Sequence, residues 1–191
     1  MDVKIGVSNR HVHLCERDLK VLFGDNYELE VKKMLVQPGE FASNSVVTIK
    51  TEKSEIENVR VLGPLRSYTQ VEVSKTDAFK LGINPPVRDS GDLAGSEAVT
   101  LIGPNGSIDL KEGCIIATRH IHITPDQMVQ FGFEGLKSVS VKLPGEKGGI
   151  LYNVQLKVSP NYAFEMHIDT DDANAHMVKT GDIAEIIVEG E

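Results

Sequence analysis

Two hexapeptides, NRHVHL from Asn9 and TRHIHI from Thr118, contain four of the six histidines in this chain. A β-branched apolar run precedes each of them, VKIGVS in one case and GCIIA in the other, and both runs predict strands. A short helical pattern follows each. In CERDLKVLFG, Leu19, Leu22 and Phe23 fall at helical spacing and Gly24 stands where a helix would stop. In TPDQMVQFG, Thr124 is placed to cap, Pro125 suits a first turn and Gly132 a terminus. The order strand, HxH, helix therefore occurs twice, and any fold for this chain has to build one plan two times over.

The repetition extends further along each half. QVEVSKTDAFKLG from Gln70 resembles EMHIDTDDANAHMVKTG from Glu165: an alternating strand, a Thr or Asp capping signal, a short helix and a closing Gly. In this alignment Glu72 stands opposite His167. Between these landmarks the chain predicts short strands at YELEVKKM, SVVTIKT, IENVRVL, EAVTLIG, SVSVKL, LYNVQLKV and DIAEIIVE, punctuated by QPGE, GPNG and LPGEKGG. Short strands at this density, with few and short helices, predict a mainly β chain forming two related small β-barrels capped by short α-helices. INPPVRDSGDLAGSE is the most loop-like segment and the natural long connection.

Composition narrows the function classes. At 191 residues the chain can form one core or two small lobes, and its 40% hydrophobic content is that of an ordinary globular protein. No apolar run nears the roughly 20 residues needed to cross a bilayer, and the first residues lack the pattern of a secretory signal, so a cytoplasmic protein without membrane contact is expected. Two cysteines, Cys15 and Cys114, are too few for a disulfide framework. A net charge of −8 argues against a nucleic-acid partner, while a few placed cations could still hold a small anion.

Side chains at i and i+2 of a strand share a face, so His11 and His13 project together, as do His120 and His122. Two close imidazoles with a carboxylate or a third imidazole make an open zinc site, and Glu72 and His167 are the natural third ligands. Structural histidines are the plain alternative. Duplication favours metal binding, because Arg-His-aliphatic-His-aliphatic is shared while the flanking residues differ. Arg60 and Arg66 flank a Gly-Pro turn just before Glu72, and arginine suits phosphate recognition. Cys15 is expected at a helix start, with a nucleophile or extra ligand as the alternative, Cys114 in the core, and His176 on the surface.

VSNRHVHL, VLGPLRSYTQVEVSKTDA, ATRHIHITP and EMHIDTDDANA, in this order, resemble the PduL-type phosphotransacylases, the phosphate propanoyltransferase family. The resemblance covers nearly the whole chain. It implies two β-barrels, one built from residues 10–117 and the other from residues 1–9 and 118–191. It also implies reversible conversion of a short-chain acyl-CoA, propanoyl or acetyl, plus phosphate into acyl phosphate plus CoA, at a site with two zinc ions and without an acyl-enzyme. By resemblance His11, His13, Glu72, His120, His122 and His167 are the metal ligands, and Arg66 binds phosphate in catalysis. Ser8, Lys33, Arg60 and Asn174 resemble positions lining a coenzyme A pocket. CoA, phosphate and acyl phosphate are then small-molecule substrates, with propanediol degradation as a setting known for the family. Members sent into microcompartments usually carry an extension before the first strand; here that strand begins almost at Met1, which predicts a free cytosolic member. Two other classes share these residues: a zinc-dependent thioester or phosphoester hydrolase, and a non-enzymatic binding module. Acyl-chain preference and oligomeric state, a homo-oligomer included, stay open at this point.

Overall fold

The computed structural model describes residues 1–187. In chain order the elements are β1 (Asp2–Ser8), β2 (His11–Cys15), α1 (Glu16–Phe23), β3 (Val31–Met34), β4 (Phe41–Lys50), β5 (Glu55–Arg66), β6 (Gln70–Glu72), α2 (Lys75–Leu81), β7 (Val87–Arg88), β8 (Glu97–Ile102), β9 (Ser107–Ala117), β10 (His120–Ile123), α3 (Pro125–Gln130), β11 (Ser138–Leu143), β12 (Gly149–Val158), β13 (Glu165–Asp169), α4 (Thr170–His176) and β14 (Ile183–Ile187). The chain is mainly β, and its strands close into two six-strand barrels.

One compact unit comprises Asn9–Leu35 and Gly39–Ala117. Its barrel runs β9-β6-β2-β5-β4-β8 and closes where β8 pairs with both β4 and β9, leaving β3 and β7 as additions at the edges. The other unit comprises Met1–Ser8, Val36–Pro38 and Thr118–Glu191, with barrel order β1-β13-β10-β12-β11-β14; its last four residues lie outside the described ones. The two orders are one topology. In each barrel the HxH strand pairs in parallel with one neighbour (β5 or β12) and antiparallel with the other (β6 or β13). The strand carrying the third candidate ligand then pairs in parallel with β9 or β1.

That last pairing is where local sequence gives no guide. VKIGVS immediately precedes the first HxH, yet as β1 it completes the barrel of the second; GCIIA precedes the second HxH and, within β9, completes the barrel of the first. A strand needs a partner of suitable register and face, and proximity in sequence does not supply one.

The alternation that makes these strands also layers them. In β2, Val12 and Leu14 are fully buried in one core, and in β10, Ile121 and Ile123 are fully buried in the other. The histidines therefore face the opposite way along the same backbone, and they too are buried. Helix ends follow the capping residues: Ser74 and Thr124 form reciprocal capping boxes with Asp77 and Gln127, and Asp169 accepts from the Asp172 N–H. Gly24 ends α1, and Gly82, in the left-handed region at φ 72°, ends α2. YELEVKKM forms a strand only from Val31 to Met34, because Tyr27 instead stacks on Phe23 and its hydroxyl meets Ser45 Oγ at 2.8 Å. The strand expected at DIAEIIVE is present as Ile183–Ile187, and its final Val188 and Glu189 lie outside the described residues.

Candidate metal and anion site

In the first unit, β2 and β6 lie antiparallel with His11 opposite Glu72 and His13 opposite Gln70. In the second, β10 and β13 place His120 opposite His167 and His122 opposite Glu165. Register thus gathers one triad per barrel, His11-His13-Glu72 and His120-His122-His167, each with its donor atoms within 4.8 Å of one another. The paired rings stand 4.9 Å apart in the first triad and 4.7 Å in the second.

The ring nitrogens repeat as well. His11 Nδ1 lies 2.8 Å from the Asn9 carbonyl oxygen, and His120 Nδ1 lies 2.7 Å from that of Thr118. A carbonyl only accepts, so in both rings Nδ1 carries the proton and Nε2 keeps its lone pair. His13 Nδ1 and His122 Nδ1 are buried without a hydrogen-bond partner. Leaving a buried polar nitrogen unpaired costs roughly 1–3 kcal/mol, and the same orphan at matched positions of both barrels is what a metal-ligand position would show.

Burial also sets the charge state. It pushes His13 far below the ordinary imidazole value, helped by His11 and Arg66. It lowers His120 to about 2, with Lys157 adding to the effect, and His122 to about 3, with His167 adding. These imidazoles stay neutral, the form that donates to a metal. Two histidines with a carboxylate, or three histidines, suit a transition metal preferring nitrogen and oxygen donors, with a coordination position left open. Both triads fit such an ion.

The repeated arginine has a separate task. Arg10 Nε meets Asp77 Oδ1 at 2.8 Å, and Arg119 Nη2 meets Asp172 Oδ1 at 3.0 Å. Asp77 and Asp172 each lie in the first turn of the helix that follows the third ligand. The arginine preceding each HxH therefore clamps its strand to the helix that follows the remaining candidate donor. The arrangement R-H-x-H with a ligand and an aspartate five residues later is a single structural motif, present twice.

Comparison with known proteins agrees with these landmarks. Residues 4–179 match the family model described as phosphate propanoyltransferase. The chain belongs to this family. Proteins named phosphate propanoyltransferase from Thermotoga maritima and Priestia megaterium are similar to it, at 50% identity over 184 residues and 54% over 180. These alignments cover 96% and 94% of the chain, and 88% and 83% of the relatives. One of the same name from Salmonella typhimurium is 44% identical over 174 residues, 91% of the chain and 82% of the relative. The name is that of an acyltransferase, as the motif resemblance anticipates, and it does not favour the hydrolase.

Arg66 stands at the end of β5, half-buried, with Nη1 donating to Ser90 Oγ at 2.9 Å and Nη2 3.5 Å from Glu40 Oε1. Arg60 lies opposite His11 on β5, but its Nη1 donates to the Ser43 and Asn44 carbonyls, so it straps β4. Lys33 is exposed on β3. In the other unit, Ser8 ends β1 opposite Asp169, and Asn174 is exposed on α4. Cys114 is buried, its thiol pushed up to about 12 by burial and by Glu97. Cys15 occupies the residue before α1 without a side-chain capping bond; its N–H donates to Thr69 Oγ1 at 3.1 Å. His176 is partly exposed at the surface, where Gly149 leaves room for its ring and the Lys147 carbonyl lies 3.0 Å from Nδ1.

Several residues at these centres escape a reading by residue type alone. Tyr162 lies against His122 at 4.2 Å between centroids. Gln70 and Glu165 are buried polar residues two positions before each third candidate ligand. The signal for the last pair was present: in the aligned QVE and EMH, both first residues are polar at a position whose alternation predicts the ligand face.

Proposed function

We propose that this protein is a phosphate acyltransferase that interconverts propanoyl-CoA or acetyl-CoA plus phosphate with the acyl phosphate plus CoA. The observation that carries this reading is the duplicated triad with its orphaned imidazole nitrogens, in a chain of the phosphate propanoyltransferase family. Each triad holds one zinc ion, through His11, His13 and Glu72 in one barrel and His120, His122 and His167 in the other, and turnover needs both. When bound, zinc supplies Lewis acidity for the CoA sulfur and for oxygen charge that builds at the acyl carbon.

The remaining steps fall to the chain. A phosphate oxygen attacks the thioester carbonyl carbon, the C–S bond breaks, and sulfur leaves with the electron pair as thiolate. Phosphate is already anionic near neutral pH, so the protein's task is placement rather than deprotonation. Arg66, braced by Ser90 and Glu40, has the planar fork that pairs with phosphate oxygens. Ser8, Lys33, Arg60 and Asn174 contribute to coenzyme A binding, Lys33 being best suited to its phosphates. Transfer is direct: Cys15 is taken up with the start of α1 and its Thr69 contact, which supports a mechanism without an acyl-enzyme. Two unpaired cysteines support a cytoplasmic setting.

The test is thioester formation, followed by ultraviolet absorbance, from propanoyl or acetyl phosphate and CoA. Activity is expected to vanish when a chelator removes metal, return with added zinc, and survive in a C15S protein. Free acid released at the same rate with and without phosphate would overturn the transferase in favour of hydrolysis.

A further inference from the structure

The two residues two positions before the third ligands hold the same place in both barrels. Gln70 lies opposite His13, and Glu165 lies opposite His122. Gln70 is fully buried and Glu165 is 6% exposed. Each touches the third ligand of its own triad: Gln70 Nε2 donates to Glu72 Oε1 at 2.6 Å, and His167 Nε2 lies 2.7 Å from Glu165 Oε2.

The chemistry of the two pairs is inverted. An ionised carboxylate ligand only accepts, so its uncoordinated oxygen needs a donor, which Gln70 provides. An imidazole that gives one nitrogen to a metal carries a proton on the other and needs an acceptor, which Glu165 provides. Where the ligand changes from carboxylate to imidazole, the partner changes from amide to carboxylate.

Both partners are themselves held. Gln70 Oε1 accepts from the Gly91 N–H at 2.7 Å, and Gln70 Nε2 also reaches Ser90 Oγ at 2.8 Å, the hydroxyl that receives Arg66. Glu72 and Arg66 are thereby joined through Gln70 and Ser90. Glu165 lies over Gly6 on the neighbouring β1, where a Cβ would come within 3.1 Å of the carboxyl carbon. Gly6 leaves the space that this carboxylate fills.

We infer that Gln70 and Glu165 are positioning residues, each orienting the third metal ligand of its own barrel, with an identity matched to that ligand. The inference rests on the metal reading above and deepens it. A consequence is that His167 presents Nδ1 to its metal, whereas His11 and His120 present Nε2.

The experiment uses the full-length, zinc-loaded protein and needs no turnover. Zinc affinity is measured by competition with a chromophoric chelator for the wild type, Q70E, E165Q and G6A. Each of Q70E and E165Q is expected to weaken one of two zinc ions by about 10–100-fold and leave the other unchanged. G6A, which keeps Glu165 but crowds its carboxyl group, is expected to weaken the same ion as E165Q by a smaller factor. Long-range 1H–15N NMR of the zinc-loaded wild type should show His167 metallated at Nδ1 with a hydrogen-bonded proton on Nε2, a signal shifted in E165Q. Unchanged affinities in folded variants, checked by melting the metal-free proteins, or zinc on His167 Nε2, would overturn the inference. Failure of the metal reading is distinguishable, because the wild type itself would then bind no zinc.

Discussion

The barrel around β2 and the barrel around β10 share topology, ligand register, arginine clamp and orphaned imidazole, and differ at the third donor, Glu72 in one and His167 in the other. The difference is smaller than it first appears. Each barrel offers two imidazoles from its HxH strand and one carboxylate from the strand beside it, half-buried at Glu72 and buried at Glu165. On the proposed reading that carboxylate is the ligand in the first barrel, and in the second it is Glu165, one hydrogen bond behind His167. A repeated scaffold has kept the local charge and moved it outward by one residue pair. On the proposed reading the ion held by three imidazoles is the stronger Lewis acid, because direct carboxylate ligation reduces the charge felt by substrate more than a carboxylate in the outer shell.

Transplanting the donor is the most severe way to break this comparison. E72H should place an imidazole against the Gln70 amide, a donor facing a donor, and lose that zinc ion by more than the 10–100-fold expected of an outer partner alone. Acyl transfer should fall in parallel. The double variant Q70E/E72H recreates the pair found in the second barrel and should recover most of the affinity. Chelator competition across these proteins decides the matter: a single E72H that binds zinc as the wild type does would show that ligand and partner need not be matched.

Acid sharpens the same contrast. His120 and His122, lowered to about 2 and about 3, belong to one unit, and His13, also lowered, belongs to the other. A histidine with a depressed folded value binds its proton in the unfolded chain first. Stability is therefore intact above the unfolded value near 6.5 and is lost as pH falls below it towards the folded value. In metal-free protein at pH 4.5 the loss should be on the order of a few kcal/mol. It should be larger for the unit carrying two such histidines. Amide exchange followed by NMR resolves the units, and equal acid sensitivity in both would contradict the assignment of these buried rings.

Much of this architecture was legible in local pattern. The HxH pairs, the match of Glu72 to His167, the caps at Thr124 and Asp169 and the stops at Gly24 and Gly82 depend on residues close in sequence, where alternation and capping chemistry act. What was not legible depends on partners distant in sequence. Nothing in VKIGVS announces that β1 pairs with Glu165–Asp169, and nothing local to Arg10 or Arg119 names Asp77 or Asp172 as its partner. Gln70 and Glu165 fall between these cases. Their spacing was visible, but their purpose emerges only when register sets them beside a ligand and Gly6 opens a space for one of them.

The arginine clamps give the smallest expected difference, and it too has a direction. Arg10 and Arg119 are each about one-third exposed, so solvent screening limits the direct worth of either ion pair to roughly 1 kcal/mol or less. The acceptors differ more. Asp77 has a side chain only 5% exposed and also completes the capping box of α2, whereas Asp172 is 22% exposed and its pKa is already raised by burial. Removing Arg119 leaves a carboxyl group that can take up a proton or water at little further cost. Removing Arg10 leaves a more enclosed carboxylate that still accepts from the Ser74 N–H. R10A should therefore lower the thermal midpoint more than R119A, and R10A/D77N should recover part of the loss, because an amide keeps the capping contact without an unpaired charge. Equal midpoints for R10A and R119A would mean that the two clamps are interchangeable despite the different burial of their acceptors.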